Sequence, residues 1–389
     1  MNKILLFFIV LLCLESKAQK KELDHTVYDS WQSIRETALH PKGNFVVFTI
    51  NPQEGDGTLV IRNLASGNEI QIARATGAQF TENGDYLLAK IKPTFAETRK
   101  AKIDKKKADE MPKDSLVIVT LANYTIQKIP SVKSFQLAEH GSEMIAYLKD
   151  KKGDINKEGS DLVLRDLKSS KEKTYANIAQ YLIQPNAQAV VMYQVKTKQS
   201  EAKILLANNA DTTLKVLTPQ LYSATNFTWD EKGNQLAYLV EKDSADKALQ
   251  KNYYLAYYTP SLDAAVAVFD KNNKSIPANY TLGGDRKIKF SKTGAFIEFG
   301  VQPILPIKDT SLPEFERVSL DVWHYNDPII QPAQQKSLES TLKSTELVLL
   351  QTSTKNATYL GKIKDRDIMS TQEGDGKTYY ATIDSSYIL

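Results

Sequence analysis

The sequence predicts an all-β fold, a β-propeller of four-stranded blades, with about six recognisable blades and a further incomplete one. Three observations carry this. The first is a phrase, NFTWDEKGNQLAYLV from Asn226 to Val240, in which Phe227 and Trp229 run into the polar turn Asp230 to Asn234 and the apolar positions resume at Leu236, Tyr238 and Val240 with period two. That pattern is a β-hairpin, because alternate side chains of a strand share one face. Gly233 supplies the positive φ a tight turn needs. The second is that the phrase recurs around Gly43, Gly84 and Gly294, with worn copies around Gly141 and Ala187. The spacings of 41, 57, 46, 46 and 61 residues are those of a propeller blade. The third is a second strand pair after each phrase, such as Thr58 to Leu64 with Glu69 to Ile72, or Ser115 to Leu121 with Ile126 to Ile129. A single sheet of this kind cannot bury both faces, so several must pack face to face around a channel. A two-sheet sandwich also has many short strands, but gives no reason for a phrase to recur at blade length.

Taken in order, the chain opens with Lys3, an apolar run from Ile4 to Leu14 and the small residues Ser16 and Ala18. This reads as a signal peptide over residues 1–18, with export to the periplasm or beyond and a mature start at Gln19. The apolar run is too short to span a bilayer, and Leu12 stands where a lipobox before Cys13 would place a small residue. Cys13 is the only cysteine. The mature chain 19–389 therefore has no disulfide and no thiolate for catalysis or metal binding, and its stability has to come from packing. A formal net charge of +4, with bases and acids interleaved, is no nucleic-acid footprint.

Lys20 to Trp31 shows no strand alternation and reads as an arm across blade 1, which spans about 34–73. Blade 2 carries the charged insertion Phe95 to Asp114. There Lys100 with Asp104, and Lys105 with Asp109, have the spacing of helical ion pairs. A solvated helical excursion and a docking surface for a partner domain are both compatible with it. Blades 3, 4 and 5 are expected at about 133–176, 180–219 and 225–270, and blade 6 from near Lys287. A Pro-punctuated connection covers Val301 to Pro313, and Asp321-Val322-Trp323 reads as a strand. Glu346 to Thr354 with Thr358 to Gly361 read as the start of one more hairpin. Gln372 to Gly376 repeats the letters of Gln53 to Gly57.

The chemistry is defined largely by exclusion. No two glycines stand four apart, so the Gly-x-Ser-x-Gly elbow of serine hydrolases is absent, and no glycine set fits a P-loop or a dinucleotide fingerprint. His25, His40, His140 and His324 are scattered, and none opens a His-Glu-x-x-His zinc motif. The two Gln-Glu-Gly-Asp-Gly segments each offer one Glu and one Asp, too few for calcium, and read as hairpin turns. Asn123, Asn226, Asn279 and Asn356 stand in sequons short enough to occur by chance. No catalytic, cofactor-binding or metal-binding residue is assigned, no cofactor is expected, and substrate-contact residues are not identified.

The opening Leu23 to Ile34, then Val47 to Gly57, Ala108 to Leu116 and Leu320 to Asp327, resemble the N-terminal region of secreted bacterial peptidases of the prolyl oligopeptidase family. The resemblance covers nearly the whole mature chain. It implies a propeller that gates and helps bind peptide substrates, partnered by a C-terminal α/β-hydrolase domain bearing a Ser-Asp-His triad. No residue here matches the triad motifs, so the chain by itself is expected to be non-catalytic. The alternative is a stand-alone periplasmic propeller that binds a protein or an envelope glycan.

Overall fold

A computed structural model gives the structure of the chain and describes residues 24–141, 143–151, 153–208, 214–241, 250–305, 313–316, 320, 322–327, 329–362 and 367–381. The leader 1–18, Gln19, Lys20 to Leu23 and Asp321 lie outside the described residues. The strands form a series of antiparallel meanders, the blades of a β-propeller. Blade 1 is β1 (Gln32–Leu39), β2 (Phe45–Pro52), β3 (Thr58–Asn63) and β4 (Glu69–Ala73). Blade 2 is β5 (Ala75–Phe80), β6 (Tyr86–Ile91), β7 (Ser115–Thr120) and β8 (Thr125–Ile129).

Blades 3 and 4 form one ladder of seven strands: β9 (Val132–Leu137), β10 (Met144–Lys149), β11 (Ser160–Asp166), β12 (Glu172–Ile183), β13 (Ala189–Gln194), β14 (Lys203–Asn208) and β15 (Leu214–Pro219). The long β12 is the outermost strand of blade 3 and the innermost of blade 4, and Ile178 is paired with both Ser160 and Gln194. Blade 5 is β16 (Ser223–Trp229), β17 (Leu236–Glu241), β18 (Tyr253–Tyr258) and β19 (Val266–Phe269).

Blade 6 differs from the sequence expectation. It begins at β20 (Tyr280–Leu282) rather than near Lys287. Its innermost strand is interrupted, since both β20 and β21 (Lys289–Phe290) pair with β22 (Phe296–Pro303). Residues 346–361 do not open another blade: β23 (Glu346–Gln351) and β24 (Ala357–Gly361) complete blade 6. The intervening 304–345 is an insertion within a single ladder. The described residues around Asp321 form no strand, and Val322 and Trp323 are exposed. A further hairpin, β25 (Met369–Ser370) with β26 (Tyr379–Tyr380), follows blade 6.

The chain divides into two compact units. The first is Met1–Phe80, Gly84–Lys106 and Val117–Lys128; the second is Thr81–Asn83, Lys107–Leu116 and Ile129–Leu389. Each has cores between blades, as the alternation of side chains along a strand requires. In the first unit Val47, Leu59, Ile61, Leu87, Ala89 and Val117 fill one layer. In the second, one face of β13 and β14 (Val190, Met192, Leu205, Ala207) packs toward blade 3. The other face (Ala189, Val191, Tyr193, Ile204, Leu206) packs with Tyr238, Val240 and Tyr258 of blade 5. The two central strands of a blade are therefore buried on both faces.

The recurring phrase is the turn between the first two strands of each blade. Gly43, Gly84, Gly141, Gly233 and Gly294 have φ of 71, 76, 65, 71 and 75°, and Ala187 adopts 54° at the equivalent place. The residue three before the glycine is polar and buried in five copies: His40, Thr81, Gln184, Asp230 and Ser291. In the first unit His40 Nε2 lies 2.8 Å from Gly84 O. In the second, Gln184 donates to Gly233 O, and Gln235 to Gly294 O at 3.0 Å. Gly141 N donates to Glu82, His140 N to Pro185 O, and Thr293 N to Asp375 Oδ2 at 2.9 Å. Consecutive turns are thus hydrogen-bonded to one another, which explains why the phrase keeps polar residues that face inward.

The two Gln-Glu-Gly-Asp-Gly segments are both hairpin turns but occupy different places. Residues 53–57 join β2 to β3, whereas 372–376 join β25 to β26 and dock on the Lys292-Thr293 turn. Junctions between blades carry a second device: Arg74, Ser131, Asn177 and Gln220 all take positive φ where the chain passes from one blade to the next. Among the described residues no helix is long and apolar enough to cross a membrane.

Candidate functional site

In an antiparallel meander the first-to-second and third-to-fourth connections lie at one end of a blade, and the second-to-third connections at the other. The short stitched turns occupy the first end. The second end holds the long connections: 92–114 with helix α1 (Phe95–Ile103), 150–159 with the single turn α2 (Ile155–Glu158), and 304–345 with α3 (Gln331–Leu342). Loops carry binding groups because their backbone is not committed to a ladder, so in each blade the second end is the candidate functional end.

Helix α1 is held by a capping box between Thr94 and Glu97, by Phe95 N donating to Asp56 at 2.7 Å, and by buried Ala101. The predicted ion pairs do not form. The helix ends at Ile103 and Lys105 turns to φ 51°, which takes Lys105–Asp109 off helical spacing, while Asp104, the C-cap, still donates its N–H to Lys100 O at 2.9 Å. The described part of the Lys20-to-Trp31 arm is a 3-10 turn (His25–Ser30) capped by Asp24, and Glu54 N donates to Asp29 O at 3.3 Å. Tyr28 and Trp31 remain exposed.

The chemically distinctive group at this end is in the second unit. Glu241, the last residue of β17, is 0% exposed. Its Oε2 accepts from Ser223 Oγ at 2.5 Å and from Lys251 Nζ at 2.8 Å, while its buried Oε1 has no partner among the described residues. Ser223, Glu241 and Tyr253 stand opposite one another across three strands. Lys251 also lies over the Tyr222 ring, 5.7 Å from its centre, and Tyr193 donates to Tyr222 O at 3.0 Å. Burial pushes the Tyr253 phenol up to about 12, and Glu241's charge adds to the effect. Tyr193 is raised for the same two reasons. A buried carboxylate costs free energy unless its lone pairs are used, so an unspent Oε1 is a strong acceptor for an N–H group. The sequence reading assigned no role to Glu241. Its one signal is an acid closing a fully apolar strand, Leu236 to Val240.

Ser223 donates to a carboxylate with no imidazole in the arrangement. His40 is buried in a turn, His140 pairs with Glu82 at 3.4 Å, His25 lies in the arm and His324 stacks on Tyr325. The aspartates of the two Gln-Glu-Gly-Asp-Gly turns are engaged by protein groups, Asp56 by Phe95 N and Asp375 by Thr293, and Glu373 pairs with Lys292 at 3.3 Å. The connection 304–345 adds a different surface. Phe315, Leu320, Val322, Trp323, Tyr325 and Ile330 are each between 63% and 87% exposed.

No protein-family model matches the chain, and no curated protein matches it. Its structure is similar to those of several solved proteins. One is the β-propeller domain of the trilobed protease from Pyrococcus furiosus, with 12% identity, a TM-score of 0.39, 87% of this chain covered and 88% of that one. A second is a prolyl endopeptidase, with 11% identity and a TM-score of 0.44. There the match covers 84% of this chain and spans 42% of the peptidase's length. A third is an oligogalacturonate lyase in complex with manganese, with 10% identity, a TM-score of 0.40, and 84% and 76% coverage.

Proposed function

We propose that residues 19–389 are the non-catalytic propeller of a prolyl oligopeptidase-family serine peptidase, exported after loss of residues 1–18. In this reading the long-loop end meets an α/β-hydrolase domain and helps admit and bind peptide substrates. The observation that carries it is the exposed apolar row of the blade 6 connection, from Phe315 to Ile330. Such a row is costly to leave in water and fits a partner domain at that end. The motif order from Leu23 to Asp327 supports the family.

The test is serine-directed labelling. Purified 19–389 is expected to be inert toward chromogenic dipeptides and fluorophosphonates. A longer polypeptide in which a hydrolase domain follows residue 389 is expected to react with both. Labelling within 19–389, for example at Ser223, overturns the non-catalytic assignment. Inertness of the longer polypeptide favours a stand-alone binding propeller instead. Mass spectrometry of the protein from its native host checks the expected start at Gln19.

A further inference from the structure

In the first unit, the insertion between the second and third strands of blade 2 carries a face that the fold leaves unused. Helix α1 turns Ala101, 2% exposed, inward. Glu97, on the same side, is spent on Thr94, whose N and Oγ1 donate to its carboxylate at 3.0 and 2.8 Å. At about 100° per residue the opposite side of the helix carries one row, Phe95, Arg99 and Ile103, with Lys102 on one flank and Lys100 on the other. All five are exposed, Ile103 at 62%. The chain then folds back on the last turn, where Lys105 N donates to Lys102 O at 3.1 Å and Lys106 N to Ala101 O at 3.0 Å, and this adds two more exposed lysines. The side chains of Arg99, Lys100, Lys102, Lys105 and Lys106 have no ion-pair or hydrogen-bond partner among the described residues. Asp104 is the only acid from Thr98 to Lys106.

The five cations stand within about two helical turns, roughly 11 Å, close to the screening length of about 8 Å at physiological salt, so they act as one field. Phe95 and Ile103, exposed inside that field, select the partner. An acidic peptide or a nucleic-acid backbone offers charge alone. The surface of an anionic bilayer offers phosphates for the cations and an acyl boundary for the two apolar side chains. The long Lys and Arg stems let the charges reach the headgroups while Phe95 and Ile103 sit deeper. We infer that residues 95–106, helix α1 and the turn after it, form a docking surface for a membrane containing anionic phospholipid. The inference does not depend on the proposed function, because it uses neither the blade 6 connection nor Glu241 and holds with or without a hydrolase domain.

The test is co-sedimentation of the full chain with vesicles of equimolar phosphatidylcholine and phosphatidylglycerol. Vesicles of phosphatidylcholine alone report what the leader and the blade 6 connection contribute. Binding to the anionic vesicles is expected to exceed this and to fall toward it at about 1 M salt, where the screening length is about 3 Å. Arg99→Gln with Lys102→Gln is expected to weaken it about 25-fold, at roughly fivefold per charge. Lys42→Gln with Lys128→Gln removes the same charge from exposed positions of the first unit outside the insertion and should leave binding within about twofold. Ile103→Ser is expected to weaken binding about fivefold while thermal unfolding stays unchanged. Equal losses from the two charge pairs, equal binding to neutral and anionic vesicles, or no loss from Ile103→Ser each overturns the inference. So does capture by polyglutamate with none by the vesicles, which would make the occupant an acidic protein segment.

Discussion

His40 Nε2 lies 2.8 Å from the carbonyl oxygen of Gly84, and His40 Nδ1 accepts from Lys42 N at 3.1 Å. One buried imidazole therefore holds its own turn and the next one together. Its tautomer is fixed by these contacts, with the proton on Nε2.

Gly84 is required both by backbone and by space. A Cβ at Gly84 would collide with the His40 ring, whereas at Gly43, with nearly the same φ, it would meet nothing within 4 Å. Gly43→Ala is expected to cost only the left-handed penalty of about 1–2 kcal/mol. Gly84→Ala is expected to cost that plus about 1–3 kcal/mol for a buried bond left unmade. Urea unfolding of the two variants checks this, and equal losses would show that the stitch contributes nothing.

Glu82 gives an acid-sensitive contact. Gly141 N and the His140 ring donate to its carboxylate and hold it below the usual carboxylate range. A lowered folded-state value means stability that is present above about pH 4.5 and is lost as the pH falls through the folded value. Glu82→Gln is expected to flatten the pH dependence of unfolding on the acid side. An unchanged acid limb would rule the contact out as a contributor.

At the alkaline end the sign reverses. Burial raises the phenols of Tyr181 and Tyr238, so the protonated forms contribute stability that is full below pH 10 and lost as the pH rises through the folded values. Tyrosinate absorbance should lag that of unfolded protein and then rise together with unfolding. Tyr238→Phe, which removes the 2.6 Å partner of Thr218 Oγ1, is expected to cost about 1–3 kcal/mol by thermal or denaturant unfolding.

Charge at Glu241 yields an asymmetric pair of variants. Lys251→Met leaves a buried carboxylate held only by Ser223, at an expected cost of about 1–3 kcal/mol, moderated because Lys251 is half exposed. Glu241→Gln keeps hydrogen bonding without the charge and should cost less. The reverse order would show that the ion pair is not what compensates this burial.

The repeated turn was legible because two local demands, a left-handed residue and a buried polar residue three positions earlier, leave marks in a short window. Blade 4 shows the limit, since Ala187 at φ 54° carries no glycine and is found only by register. Pairing was less legible. Hydrophobic period identifies 346–351 as a strand but not its neighbour, and 304–345 separates it from β22, with which it pairs. The twin pentapeptides show why identical letters mislead: Gly55 and Gly374 take φ of 123° and 93°, and only the second turn has Gln372 and Glu373 left-handed. Glu241 was missed because its burial comes from Ser223, Tyr253 and Lys251, two of them on other strands, rather than from its sequence neighbours.

Strand β12 pairs in both blades, with a register shift on each side of Ile178, and at Asn177 Gly159 packs so closely that a Cβ could not fit. Elsewhere along the chain a blade can exchange its amides with solvent without opening its neighbour's ladder. Blades 3 and 4 lack that independence, and amides from β10 to β14 should share one opening free energy in native-state hydrogen exchange. A single nick at Asn177 would then raise exchange on both sides at once, making this residue the point at which proteolysis most enlarges the dynamic part of the molecule.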